Sequence, residues 1–182
     1  MKRTAIALLA LAAAATGLEA QSNEAIIQRA TAPLSARAAQ GAAVIRWNAD
    51  GSYTTVREGS NAFVCYDRSG ETGRPAFAVQ CTNTGNLARL EQNRRFEAQA
   101  AGDREALARM VAEADAAGTR VMPEFGSVWI NLNGEDQASA SRHMTVAVPN
   151  ATAATLGFPD SGRSGGLWIM AGGTSEAHLM VP

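Results

Sequence analysis

Lysine is nearly absent from this sequence: the only one is Lys2, and all other basic residues are arginines. The 16 basic and 17 acidic residues give a formal net charge of −1 at pH 7, and no basic run is longer than two residues. Proteins that bind nucleic acid or anionic membranes by electrostatic attraction carry a basic patch or stripe. The charge pattern therefore argues against both nucleic acid and an anionic membrane surface as partners.

Long hydrophobic runs are also scarce, and the clearest one lies at the N-terminus. Residues 5–15 are apolar throughout, follow Lys2 and Arg3, and precede a stretch of small residues. This is the pattern of a secretory signal peptide, and the run is too short for a transmembrane helix. We expect residues 1–20 to be a cleaved leader, with cleavage after Gly17 as the alternative. The mature protein is then periplasmic or extracellular and has no membrane span.

Cysteine occurs only twice, at Cys65 and Cys81. Each lies in a run of residues with the alternating pattern of a β-strand. The segment between the runs, DRSGETGRP at residues 67–75, contains the glycine and proline residues typical of turns. The two strands can therefore fold back on each other, and export favours oxidation of the thiols. We predict a Cys65–Cys81 disulfide, with two separate buried thiols as the alternative.

The chain that remains after the leader is long enough for one domain with a hydrophobic core. Residues 21–41 are rich in alanine and contain Pro33, which limits a helix at this position. We expect residues 21–41 to be a mobile, loosely packed arm. Residues 42–182 are then a single domain.

Alternating strand patterns also flank Asp50 and Gly51. An Asp-Gly pair between two alternating runs is a strong signal for a β-hairpin. A two-residue turn at this position would place Trp47 opposite Thr54.

Two helical patterns follow the second cysteine. The first covers residues 87–101 and is weakly amphipathic, and the second begins at a capping residue, Asp103, and stops at Gly118. On the first helix, three residues are predicted to be exposed: Arg89, Arg94 and Arg95.

Strand patterns return in the last third of the chain. We predict the register that keeps the apolar residues on one face of the sheet. This register pairs Ile130 with Val146 and Leu132 with Met144. The opposite face then carries Trp129, Asn131 and His143. These patterns together predict an α+β fold: an antiparallel sheet of hairpins with a central helical pair packed on one face, and one disulfide.

The only histidines, His143 and His178, both lie in predicted strands. With a carboxylate such as Glu176 or Asp136 they could bind zinc, and the methionines beside them would suit copper. Their spacing matches no established metal signature, so they are weak metal candidates, and we expect no cofactor. The candidate binding residues are His143, His178, Trp129 and Asn131.

Residues 162–166, GRSGG, match the G-x-S-x-G pattern of serine hydrolases. That pattern needs a strand before the serine and a helix after it. A proline-containing loop precedes Ser164 and a strand pattern follows it, so we predict a flexible loop and identify no catalytic residue. Residues 131–136 resemble half of a calcium loop but lack its spaced acidic ligands, which favours a connecting turn.

Several segments together resemble a group of secreted bacterial proteins of unknown function. Members carry a REGxNxFxC segment, a GxxYxL strand and a PHxM strand, in this order. The corresponding segments are residues 57–65, residues 126–132 and the strand at His143-Met144, within a likeness that spans about residues 42–160. Trp129 stands where tyrosine is usual, and Arg142 replaces the proline before the histidine. The resemblance implies export, a disulfide and one domain, but transfers no activity and no catalytic residue.

The sequence thus favours a secreted or periplasmic, non-catalytic domain with a binding or structural role. The signal peptide, the single disulfide and the lack of a convergent reactive set support this interpretation. The alternative is a small secreted hydrolase or metal-binding protein that uses His143 and His178. The sequence does not indicate which partner or ligand is bound.

Overall fold

The computed structural model describes residues 22–182, except for the side chain of Ser164. The predicted signal peptide, residues 1–20, lies outside the described residues. Helices cover residues 22–30 (α1), Ala36–Gly41 (α2), Leu87–Ala100 (α3), Arg104–Ala116 (α4) and Ala153–Leu156 (α5). Strands cover Ala43–Trp47 (β1), Tyr53–Arg57 (β2), Phe63–Asp67 (β3), Phe77–Asn83 (β4), Val128–Gly134 (β5), Ser141–Ala147 (β6), Trp168–Met170 (β7) and His178–Val181 (β8). Within residues 22–182, none of the helices combines the length and apolar character needed to cross a membrane.

The eight strands of this part of the chain form one sheet in the order β2-β1-β3-β4-β5-β6-β8-β7. Neighbouring strands run antiparallel, except that β1 and β3 are parallel. The parallel pair arises because the chain leaves β2 at the sheet edge and passes the end of β1 before it enters β3. Gly59 lies at this passage, where a Cβ atom would come within 2.6 Å of the backbone nitrogen of Ala43. The α+β class and a mostly antiparallel sheet are therefore confirmed.

The predicted disulfide is also confirmed. Cys65 on β3 and Cys81 on β4 lie directly opposite each other, with their Cα atoms 4.1 Å apart and their sulfurs bonded. Both residues are fully buried. The bridge therefore lies within the core and links two neighbouring strands.

Side chains alternate along each strand, so the sheet has two faces. The disulfide face carries Cys65 and Cys81, and the Tyr66 face carries Tyr66, Gln80 and Asn131 in register across β3, β4 and β5. Trp129 lies on the same face, opposite Thr82. Helix α3 packs on the Tyr66 face. Leu90 of α3 is buried in a cluster with three strand residues, Ile45, Val64 and Tyr66.

Residues 26–34, the middle of the predicted arm, pack on the disulfide face, which differs from the loose packing that the sequence predicts. Ala30 is fully buried beside the two cysteines, and Ile26 and Ile27 pack against the same cluster. Arg29 adds a polar anchor, since its Nε lies 2.6 Å from a carboxylate oxygen of Asp67. The alanine-rich composition hid this short apolar stripe, because alanine is small enough to lie directly against the disulfide.

The β1–β2 hairpin is shifted by one residue from the predicted register. Trp47 lies opposite Tyr53 instead of Thr54, and the loop has three residues, 49–51, because Asn48 N donates to Ser52 O. Gly51 takes a positive φ of 83° at the end of this loop. A bulge near the start of β1 then corrects the register by one residue.

The β5–β6 pair is shifted by two residues from the predicted register. Ile130 lies opposite Met144, whereas the sequence pairs it with Val146. Because side chains repeat every two residues, a shift of two leaves every residue on its predicted face. Trp129, Asn131 and His143 therefore share one face, as the sequence predicts.

Candidate functional site

The two histidines share a sheet face but occupy different positions along it. His143 is exposed and lies opposite Asn131, whereas His178 is half-buried and lies opposite Ala147. The four residues from 143 to 147 correspond to roughly 13 Å along β6. The two imidazoles therefore do not form one site, and within residues 22–182 no group of three His, Cys, Asp or Glu residues is placed to hold a metal ion.

Asn131 belongs to a row of hydrogen-bonded side chains across the sheet. The Tyr66 hydroxyl donates to Gln80 Oε1, and Gln80 Nε2 donates to Asn131 Oδ1 at 2.7 Å. Burial raises the pKa of Tyr66 above its ordinary value, so the phenol stays protonated as the donor. The row joins β3, β4 and β5, which gives Asn131 a clear structural role.

Trp129 lies at the edge of a separate pocket of about 200 Å³, which we call the Trp129 pocket. Helix α3, strands β5, β6 and β8, and the β7–β8 loop all contribute to its walls. The polar and aromatic lining residues include Arg89, Trp129, Thr145, Ser175, Glu176 and His178. Two of the four predicted binding residues, Trp129 and His178, therefore meet in this pocket, while Asn131 and His143 do not line it.

Arg89, which lines the pocket, and Arg120, which lies behind Glu176, are both buried and share the carboxylate of Glu176. The side chains of Arg89 and Arg120 are 5% and 2% exposed, whereas that of Glu176 is 50% exposed. Arg89 Nη2 and Arg120 Nη2 lie 3.3 Å and 3.2 Å from the same atom, Glu176 Oε1. Burial, together with the positive charge of Arg120, lowers the pKa of Arg89 to about 10.

Neutral acceptors hold both guanidinium groups in place. Arg89 Nη1 donates to the backbone oxygen of Val121 at 2.6 Å. Arg120 donates at 2.7 Å to Gln92 Oε1 and, through its other terminal nitrogen, to Asn93 Oδ1. Helix α3 and the segment before β5 therefore orient the two positive charges without neutralising them.

Two polar atoms near this charge pair have no hydrogen-bond partner among residues 22–182. They are Arg120 Nε and Ser175 Oγ, and both are buried. An unsatisfied buried polar group costs about 1–3 kcal/mol, so native structures contain few of them. Ser175 lines the Trp129 pocket, whereas Arg120 contacts Glu176 and itself lines a separate pocket of about 510 Å³ between α3, α4 and the β7–β8 loop. The unpartnered Ser175 hydroxyl marks the Trp129 pocket as a candidate binding site.

The imidazole of His178 has one ring nitrogen fixed by the backbone. Its Nδ1 lies 2.7 Å from the backbone oxygen of Glu176. Because a carbonyl oxygen can only accept, Nδ1 donates to it, and in the neutral imidazole Nε2 is an acceptor. Ser175 Oγ makes no hydrogen bond to this ring, so the two residues do not form a nucleophile–base pair.

The sequence places Arg89 on the exposed side of α3, and the structure corrects this. Arg89 is buried and Arg94 is mostly buried, whereas Arg95 is exposed as predicted. The weak amphipathicity of α3 was the one available signal for buried arginines. Because the helix has few apolar residues, the long apolar stems of arginine side chains can cover part of its buried face. No sequence pattern indicated Arg120 or Ser175.

A larger depression of about 880 Å³ lies at the other end of α3. Arg68 and Arg94 form its buried charges, and each is within 3.5 Å of both Glu71 and Glu97. Two arginines and two glutamates thus alternate in a closed ion-pair network. Because these four charges are matched, this depression is a weaker candidate for a ligand site than the Trp129 pocket.

The loop around Ser164 does not have the architecture of a serine-hydrolase elbow. Gly162–Ser164 is a short 3₁₀ turn, and strand β7 follows it. The side chain of Ser164 lies outside the described atoms.

Comparison with protein-family models, with curated proteins and with solved structures gave no match. The resemblance to secreted proteins of unknown function therefore stays a prediction, and the candidate function depends on the site itself.

Proposed function

We propose that this chain is an exported, non-catalytic domain that binds a small ligand in the Trp129 pocket. One observation carries the proposal: an aromatic wall, a histidine acceptor and a buried arginine converge on one pocket, at Trp129, His178 and Arg89. Ligand sites are typically concave and partly apolar, with a few polar groups that fix orientation. A buried disulfide is compatible with an oxidising compartment outside the cytoplasm.

The proposal includes a role for the predicted helical pair on one face of the sheet. Leu87 and Leu90 of α3 pack against strand residues, and Arg89 of the same helix reaches the pocket. We expect α3, with α4 as its neighbour, to close one side of the pocket through Arg89 and Asn93.

A hydrolase or metal-binding protein that uses both histidines is the less favoured alternative. It requires His143 and His178 to act together, yet their strand positions differ by four residues along β6. His178 alone has a free acceptor nitrogen in the pocket.

The protein labelled with 5-fluorotryptophan tests the binding proposal. Its three tryptophans give three ¹⁹F resonances, and Trp129→Phe identifies the one from the pocket. Two neutral aromatic probes, indole and benzamide, are then titrated. We expect a saturable shift of the Trp129 resonance with at least one probe, while the resonance of Trp47, on β1, stays unchanged.

Two histidine variants are the matched controls for this experiment. His178→Ala is expected to weaken probe binding by roughly fivefold, which corresponds to about one hydrogen bond. His143→Ala is expected to leave it unchanged. If neither these probes nor benzoate, the charged analogue of benzamide, moves the Trp129 resonance, the binding proposal fails. If both variants weaken binding equally, the two-histidine alternative is supported instead.

A further inference from the structure

We infer that the ligand of the Trp129 pocket carries a carboxylate group, and that Glu176 occupies the position of that carboxylate while the pocket is empty. This inference depends on the binding function proposed above and specifies the chemical class of the ligand. Four features support it: the local charge balance, the attachment of Glu176, the unpartnered buried atoms and the apolar part of the pocket.

The local charge balance favours an added anion. Two nearly inaccessible guanidinium groups, those of Arg89 and Arg120, share a single oxygen of Glu176. Asp115 adds only a smaller attraction to Arg89. Because a buried charge without a full partner is costly, a second carboxylate oxygen between the two arginines would be stabilised. Burial first, and then the positive charge of Arg120, lower the pKa of Arg89.

Glu176 is attached in a way that allows its replacement. Its side chain is half exposed and lies in the β7–β8 loop, and its contacts with both arginines are made by Oε1. The backbone of this residue is held independently, since Glu176 N donates to Thr174 Oγ1. The carboxylate can therefore rotate into solvent about its own side-chain bonds while the loop keeps its conformation.

The unpartnered buried atoms fit a ligand that offers more acceptor sites than one glutamate oxygen. Arg120 Nε and Ser175 Oγ lack partners among the described residues. A carboxylate has two oxygens and about four lone-pair sites, so one group can accept from several donors at once. Arginine is also the side chain best suited to planar recognition of carboxylates.

The remaining surface of the pocket indicates what the carboxylate is attached to. Trp129, Pro123, Ala147 and Ala177 supply aromatic and aliphatic walls. A volume of about 200 Å³ admits a small group only. We therefore expect a small acid with an aromatic or apolar body.

Calorimetric titration of the purified, oxidised protein with benzoate and with benzamide tests the inference. The two probes have nearly the same shape and differ in charge. We expect benzoate to bind at least roughly tenfold more tightly, because hydrogen bonds between ionised groups are about twice as strong as neutral ones. Inorganic phosphate, which has no apolar body, is expected to bind more weakly than benzoate.

Glu176→Gln gives the sharpest variant, because it keeps the side-chain shape and removes the competing charge. We expect this variant to bind benzoate about tenfold more tightly than the original protein and to bind benzamide with unchanged affinity. Glu113→Gln, on the exposed surface of α4, is the matched control and should change neither affinity. Arg120→Gln should abolish the preference for benzoate, and its circular dichroism spectrum reports whether it folds.

The outcomes separate this inference from the proposed function. Benzamide could bind at the Trp129 pocket while benzoate binds no more tightly than benzamide in either the original protein or Glu176→Gln. This result overturns the carboxylate inference, and the pocket remains a binding site. If phosphate binds as tightly as benzoate, the apolar body of the proposed ligand is wrong. If none of the probes binds, both proposals fail together.

Discussion

Replacing Cys65 and Cys81 together by alanine is expected to lower the free energy of unfolding by about 3 kcal/mol. The two cysteines are separated by 16 positions in the sequence, and the bridge restricts the unfolded chain between them. Both residues are fully buried in a cluster with Val44 and Ala30, so the lost sulfur atoms also leave space in the core. Urea denaturation of the oxidised protein and the variant measures the difference.

The reduced form of the original protein is the control for this prediction. It should unfold at a lower urea concentration than the oxidised protein but not below that of the double-alanine variant, because it keeps both sulfur atoms in the core. Reductant should not affect the variant. A loss of less than about 1 kcal/mol would contradict the stabilising role of the bridge. So would two titratable thiols in the oxidised, folded protein.

Asn86→Ala is expected to lower the free energy of unfolding by about 3 kcal/mol, because it leaves several buried partners unsatisfied. Asn86 is fully buried, and its Nδ2 donates to Thr82 Oγ1 at 2.8 Å and to Ser127 Oγ at 2.9 Å. Its Oδ1 accepts from Glu124 N at 2.8 Å. One side chain thus ties the end of β4 and the start of α3 to the segment before β5.

Asn133→Ala is the matched control for this second prediction. Asn133 lies on β5 and is half-buried, and its replacement should change the unfolding free energy by no more than about 0.5 kcal/mol. Pro123, which lines the Trp129 pocket, belongs to the segment that Asn86 holds. We therefore expect Asn86→Ala to weaken probe binding as well, and equal stability of the two asparagine variants would show that the Asn86 hydrogen bonds contribute little.

The disulfide and the sheet faces could be predicted from the sequence because they depend on local alternation. Cys65 and Cys81 lie on strand patterns joined by one turn, so their pairing needs no distant information. The face shared by Trp129, Asn131 and His143 follows from the same period of two. The prediction of this shared face is correct even though the observed register of β5 and β6 differs from the predicted one by two residues.

Exact positions along the strands could not be predicted, because they depend on loop geometry. A three-residue loop ending at Gly51 shifted the first hairpin by one residue. The separation of His143 and His178 depends in the same way on the register of β8 against β6. The alternating pattern of apolar and polar residues identifies the sheet face on which a side chain lies. It does not identify which residue of the neighbouring strand lies opposite.

The cluster of Arg89, Arg120 and Glu176 at the candidate site could not be predicted from the sequence. Glu176 bonds Arg89 and Arg120 from 87 and 56 residues away in the chain. Charged side chains carry no periodic signal that identifies a buried partner at such a distance. The pattern of α3 instead suggested that Arg89 faces solvent, because arginine is usually exposed.

A crystal structure of the Glu176→Gln variant grown with benzoate tests the central claim, the binding function of the Trp129 pocket, most directly. The account predicts the benzoate carboxylate between the guanidinium groups of Arg89 and Arg120, with its ring against Trp129. An empty pocket at saturating benzoate, or benzoate bound elsewhere on the molecule, would contradict it.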